Sequence, residues 1–135
     1  MNLYETFGTD KTLESKDGVK LNFGEGVYIT VLRSGGSNKK FAALLAEKVE
    51  PFRFQIDKGT LDAEVQDKIL AEIYAESILI GWGGINDKNG VTLQFTFENA
   101  VKLLLDLPEL FAVIKKEAAE FANFTAAKNE ENAKN

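Results

Sequence analysis

The spacing of the apolar residues changes along this chain, and the change constrains the fold more than any other feature. Between Val19 and Val31 large apolar residues alternate with polar ones, which is the period of a β-strand. From Phe41 onward they recur every three or four residues, which is the period of a helix with one apolar face. The chain is therefore predicted to be an α+β protein that is mainly helical.

The N-terminal part of the chain carries the strand signal. Gly24-Glu25-Gly26 separates the two arms of the alternating segment, so a β-hairpin is predicted over residues 19–33. Residues 1–16 are polar with scattered apolar positions. We expect them to be a flexible segment or a short helix.

About four helices are predicted after the hairpin, with boundaries taken from capping residues, glycines and prolines. Their predicted ranges are 38–49, 60–80, 96–106 and 108–124. Between the second and the third helix, Asp87-Lys88-Asn89-Gly90 predicts a short hairpin. Residues 17–124 are expected to form a single globular domain. Residues 125–135 contain no large apolar side chain and are expected to be a disordered tail.

The composition excludes several kinds of site. The chain has no cysteine and no histidine, which excludes disulfides, Cys/His zinc sites and an imidazole general base. Acidic residues outnumber basic ones and give a net charge of −5, whereas nucleic-acid binders usually show a basic face. No apolar run reaches the length of a spanning helix. We therefore expect no cofactor, no metal, no nucleic-acid or membrane partner, and a cytoplasmic location.

Two short motifs admit a ligand-binding interpretation besides a structural one. The segment GGSNKK, residues 35–40, can offer a phosphate free N–H groups, but it lacks the Gly-Lys-Ser/Thr ending of a P-loop. A turn followed by a helix cap is favoured there. The turn at Asp87 resembles part of a calcium loop, but Ile85 and Thr96 would stand at its first and last ligand positions. A hairpin turn is favoured there.

The sequence predicts no catalytic residue. None of the serines lies in a nucleophile elbow, and no histidine is present to activate one. A pair of carboxylates distant along the chain stays open as an alternative, because such pairs leave no local motif.

Three aromatic residues are predicted to form a surface for a partner or an oligomer. Trp82 lies between Gly81 and Gly83, and both a core position and an exposed anchor are open for it. Phe121 and Phe124 lie at the end of the last predicted helix beside the tail. They are the large apolar residues least easily covered from within the domain.

The order and spacing of several segments resemble a known family. These segments are Arg33-Ser34-Gly35-Gly36-Ser37-Asn38 with Phe41 after the hairpin; Gly59-Thr60-Leu61 opening a helix that ends in Ile80-Gly81-Trp82; the turn Asp87-Lys88-Asn89-Gly90; and Phe97-Glu98-Asn99-Ala100 leading to Leu107-Pro108-Glu109-Leu110-Phe111. From about Val19 to Phe124, the chain resembles the tail assembly chaperones of long-tailed, lambda-like bacteriophages and prophages.

The resemblance implies a protein that is not an enzyme. It would bind the tape measure protein and keep it soluble while the tail tube polymerises around it. It would form a homo-oligomer in the host bacterial cytoplasm and be absent from the mature virion. In relatives, a longer form made by a frameshift contacts the tail tube protein. The alternatives are a small carboxylate-dependent enzyme and a structural component of the head–tail connector.

Overall fold

The computed structural model describes residues 1–126 and 128. As predicted, the fold is α+β and mainly helical. The strands form one antiparallel sheet in the order β1-β2-β3: β1 Val19–Gly24, β2 Val27–Val31 and β3 Leu79–Gly83. The α-helices are α1 Leu3–Phe7, α2 Lys39–Val49, α3 Arg53–Lys58, α4 Ala63–Ser77, α5 Phe97–Asp106 and α6 Pro108–Ala119. Shorter helical turns lie at Leu13–Asp17, Glu50–Phe52 and Phe121–Phe124.

The N-terminal hairpin is confirmed. β1 and β2 pair from Val19 opposite Val31 to Gly24 opposite Val27. The connecting Gly24-Glu25-Gly26 turn has positive φ at all three residues, 93°, 55° and 79°. Glycine adopts this conformation without a steric penalty, so the two glycines allow the reversal that the alternating pattern requires.

The third strand corrects the helix predicted over residues 60–80. α4 begins only after Asp62, whose carboxylate accepts the N–H of Glu64 at 2.8 Å, and it ends at Ser77. Leu79–Gly83 instead pairs with β2, with Trp82 opposite Ile29. Helical spacing misassigned this end because its backbone groups bind a strand some fifty residues earlier in the chain, and local sequence does not reveal such a partner.

The end of the first predicted helix is confirmed, since α2 ends at Val49. Pro51 then occupies the first turn of a 3₁₀ segment that leads into α3, a position that suits its missing N–H. The last helix stops at Ala119 rather than Phe124 because Glu120 is extended (φ −83°, ψ 108°). The Glu120 side chain then caps the next turn by accepting the N–H of Ala122.

The short hairpin predicted between the long helices is reduced to a turn closed by one bridge, Asn86 to Thr92. Asp87 Oδ1 accepts the N–H of Asn89 at 2.8 Å and of Val91 at 3.0 Å. The carboxylate is therefore used to hold its own turn, which agrees with the hairpin interpretation rather than with a calcium loop.

Part of the predicted flexible N-terminal segment packs on the domain. Leu13 and Glu14 are buried, so the packed structure extends beyond the predicted boundary at residue 17. Thr9 pairs with Thr125, the first residue of the predicted disordered tail. Residues 127 and 129–135 of that tail lie outside the described residues, so its disorder stays a prediction.

The hydrophobic core lies between the inner face of the sheet and the helices α4, α5 and α6. Tyr74 of α4 is part of this core and lies edge-on to Phe41 at 5.6 Å and to Phe111 at 5.3 Å. Burial raises the pKa of the Tyr74 phenol, so it stays neutral. This core fixes the end of α4, β3 and the start of α5 relative to one another.

Candidate partner-binding surface

Trp82 is held in a fixed position on β3. It is partly buried against the core, on the same face of the sheet as its cross-strand partner Ile29. Its indole Nε1–H donates to the carbonyl of Leu93 at 2.8 Å. A Cβ at the neighbouring Gly83 would lie 2.5 Å from Cε1 of Tyr28, so any larger residue there would require the Tyr28 ring to move. The indole thus joins the sheet to the loop that precedes α5.

Phe95 continues the aromatic surface from Trp82 towards solvent. The two rings meet edge-on, with centroids 5.0 Å apart and an interplanar angle of 82°. Phe95 and the following Phe97 are both more than one third exposed. They border a shallow depression of about 430 Å³. We call it the aromatic depression; its lining residues are Ala75, Glu76, Leu79, Phe95 and Phe97.

Local capping explains why these two phenylalanines project beside each other. Thr96 between them is the N-cap of α5, and its Oγ1 accepts the N–H of Asn99 at 3.1 Å. The Asn99 amide donates in turn to the carbonyl of Gln94 at 2.9 Å. These bonds hold the chain on both sides of the cap, so the aromatic depression is formed before any partner binds.

An apolar row extends from the aromatic depression along α5. Phe97, Val101 and Leu105 follow at intervals of four residues, which places them on one side of the helix. At the far end, Leu105 and Val65 of α4 line a second shallow depression of about 470 Å³. Such a row of half-exposed apolar side chains suits an amphipathic or extended apolar segment of a partner.

The three residues predicted as a partner surface are not brought together. Trp82 packs with Phe95, whereas the Phe121 ring contacts Phe7 of α1 at a centroid distance of 5.6 Å. Phe124 is completely buried, so its assignment to an accessible surface is corrected: it is a core residue. Its placement on a separate 3₁₀ turn, rather than on a continued α6, directs this ring inward.

Phe95 and Phe97 are the surface residues that the sequence-based site prediction left out. Both stand out in the sequence as an aromatic pair, but the helical pattern assigns Phe97 to a covered face. The structure leaves it 42% exposed because it lies in the first turn of α5, near the edge of the core. In the sequence, the helix cap Thr96 between the two phenylalanines was the feature that could have indicated their exposure.

A partly buried ion pair occupies the glycine-rich turn at residues 35–40. The carboxylate of Glu14 accepts hydrogen bonds from the Arg33 guanidinium and from the backbone N–H of Ser37. Burial alone would raise the pKa of Glu14, but these donors outweigh it and lower the pKa below its usual value. Asn38 caps α2 by accepting the N–H of Phe41, which confirms the turn-and-cap interpretation. The anion at this turn is the chain's own carboxylate.

Within residues 1–126 and 128, no group of three or more Asp or Glu side chains is arranged to hold a metal ion. No helix there is long and apolar enough to cross a membrane.

Comparison with known protein families identifies the family of this chain. A model of the family described as YdaY prophage protein matches residues 36–135, well over half of the sequence. The chain belongs to the YdaY prophage protein family. No curated protein and no solved structure matches it. The matched region contains Trp82, the aromatic depression and the α5 row, whereas the N-terminal hairpin precedes it.

Proposed function

We propose that this prophage protein is a tail assembly chaperone that acts by binding rather than by catalysis. It holds the tape measure protein in soluble form in the host bacterial cytoplasm while the tail tube polymerises, and it is not retained in the mature virion. It self-associates, and a longer frameshifted form contacts the tail tube protein. Membership of a prophage family and the resemblance of the sequence to these chaperones support the proposal.

The observation that carries the proposal is the aromatic depression with the α5 row. A chaperone for a long hydrophobic client needs apolar surface that is accessible while the protein itself stays folded. Phe95 and Phe97 are exposed, but Trp82 and the Thr96 cap hold them in place. A preformed surface loses little conformational entropy when it binds, which favours repeated capture of apolar segments.

Co-expression with the tape measure protein of the same prophage tests the proposal. Wild type should increase the soluble fraction of the tape measure protein and co-purify with it. Phe97→Ala should reduce both, because it removes an exposed ring from the aromatic depression.

Phe23→Ala is the matched control. Phe23 lies on β1 and is 44% exposed, against 42% for Phe97. Both variants should melt near the wild-type temperature. The proposal fails if wild type leaves the tape measure protein insoluble, or if the two folded variants retain it equally.

A further inference from the structure

Acidic side chains border the apolar surface that the two depressions and the α5 row form. Glu76, in the last turn of α4, lines the aromatic depression. Glu98 follows Phe97 directly and precedes Val101 by three residues, so it lies beside the α5 row. Both acidic residues are exposed. A partner at this end of the surface therefore meets negative charge next to the aromatic rings.

The second shallow depression adds one more uncompensated carboxylate. Glu64, Asp67 and Lys68 line it, and all three are exposed. Glu64 precedes Lys68 by four residues, the spacing at which two side chains on a helix are neighbours. These two charges offset each other, which leaves the negative charge of Asp67.

The neighbouring lysines do not reverse this sign. Lys102 on α5 lies 2.8 Å from Asp106, and Lys48 on α2 lies 3.5 Å from Glu72. Each of these ion pairs is neutral as a unit. Across the depressions and the α5 row, the residues that the structure describes therefore leave an excess of negative charge.

The spacing of the apolar contacts suits a helical partner. Phe97 lines one depression and Leu105 the other, and the two are eight residues apart on α5, which is about 12 Å along the helix axis. Val101 lies halfway between them and is half-buried. A partner helix covers the same distance with apolar side chains at positions i, i+4 and i+7 or i+8.

An extended partner segment fits this surface less well than a helix. The row lies on α5 beside α4, and the backbone groups of both helices are paired within those helices. An extended segment along the row would leave its inward N–H and C=O groups without partners. A helix pairs its own backbone groups, so it covers an apolar row without this cost.

We infer that the client segment held by this surface is a basic amphipathic helix. Its apolar face covers the α5 row and both depressions, and lysine or arginine side chains beside that face meet Glu76, Glu98 and Asp67. Such side chains suit this place because their aliphatic stems cover apolar surface while the charged ends reach the carboxylates. The inference rests on the proposed function and names the class of segment that is captured.

Four synthetic peptides of about 20 residues, long enough to form a helix, test the inference. Three share leucines at i, i+4 and i+7 spacing with alanine between them, and their polar positions carry lysine, glutamine or glutamate. The fourth is the lysine peptide with proline in place of one central alanine, which breaks the helix at unchanged charge.

Fluorescence anisotropy of the labelled peptides measures their affinities for the wild-type protein. The lysine peptide should bind at least about tenfold more tightly than the glutamine peptide and the proline peptide, and the glutamate peptide should bind most weakly. The preference for lysine should diminish as the salt concentration rises from about 0.05 M to about 0.5 M, because exposed charges are screened.

Glu76→Gln combined with Glu98→Gln should remove most of the preference for lysine over glutamine and leave the affinity for the glutamine peptide unchanged. Glu47→Gln combined with Glu109→Gln is the matched control, because it removes the same charge. Glu47 and Glu109 are exposed, lie in the last turn of α2 and the first turn of α6, and line neither depression. Phe97→Ala should instead weaken the binding of the lysine and glutamine peptides alike.

The inference is overturned if no peptide binds, if the lysine and glutamine peptides bind equally, or if the proline peptide binds as tightly as its parent. Loss of the preference in the control variant would overturn it as well. Retention of the tape measure protein by wild type is measured separately. Retention without a peptide preference removes the inference and leaves the proposed function, whereas a peptide preference without retention does the reverse.

Discussion

The two halves of α4 have similar apolar spacing and different surroundings. Val65, Ile69 and Ile73 follow at intervals of four residues, yet Val65 is 37% exposed, Ile69 is half-buried and Ile73 is completely buried. The second half packs with the sheet, α5 and α6 in the core. The first half reaches past them and borders two depressions: an apolar groove beside α3, lined in part by Ile56, Leu61 and Ile69, and the second shallow depression, lined in part by Val65 and Leu105. Helical spacing identifies the apolar face but not the length over which other elements cover it.

This difference separates the two roles of apolar residues in this protein. At the buried end of α4 they stabilise the fold. At the uncovered end, and along α5, they stay exposed, and it is there that we propose partners bind. Substitutions at the two ends should therefore affect different measurements, and the following predictions test that separation from the largest expected effect to the smallest.

Phe124→Ala should have the largest effect on stability. The ring is completely buried in the core, and loss of a buried phenylalanine costs about 3–5 kcal/mol. Phe121→Ala, at a half-buried ring beside Phe7, should cost clearly less. Urea denaturation of both variants measures the difference. Equal costs would show that Phe124 is not a core residue in solution.

Ile73→Ala against Val65→Ala compares the two halves of α4 directly. Ile73→Ala should lower the free energy of unfolding by about 2–5 kcal/mol, because it empties a site in the core. Val65→Ala should change it by less than about 0.5 kcal/mol, as is usual at the surface. If Val65→Ala proves as costly as Ile73→Ala in denaturation, the first half of α4 is covered in solution.

Glu14→Gln should weaken the attachment of the N-terminal segment, which lies near the buried, C-terminal end of α4. Loss of the charge-assisted bonds to Arg33 and Ser37 should cost about 1–3 kcal/mol at neutral pH. The folded pKa of Glu14 is lowered, so its contribution is complete above the unfolded pKa and disappears as the pH falls through the folded one. The free energies of unfolding of wild type and variant, measured by denaturation, should therefore converge at acidic pH. A difference that persists in acid would assign the cost to packing instead.

Trp82→Phe should have a smaller effect on stability than Phe124→Ala, Ile73→Ala or Glu14→Gln. It removes the indole N–H bond to the Leu93 carbonyl, worth about 0.5–1.5 kcal/mol, and keeps an aromatic ring beside Phe95. Thermal unfolding measures this cost, and retention of the tape measure protein measures the effect on the aromatic depression. A loss of stability as large as that of Ile73→Ala would show that Trp82 belongs to the core rather than to its border.

The sequence predicted the elements that depend on nearby residues. The hairpin follows from alternation and its glycine turn, and α5 follows from the Thr96 cap and its apolar face. The predicted site was recovered less well. Trp82 does lie beside exposed aromatic residues, but Phe124 is buried, and Phe97 was missed. Exposure depends on what packs against a residue, and the packing partners here are distant in sequence.

By itself the sequence determined the helical and strand periods, the caps that begin α2 and α5, and the residue types available for chemistry, because each depends on local interactions or on composition. Only the tertiary structure decided that Leu79–Gly83 is a strand, that Phe124 faces inward and that half of α4 is uncovered. Each of these outcomes depends on contacts between residues far apart in the chain, such as the pairing of β3 with β2. Such contacts leave no signal in a local pattern.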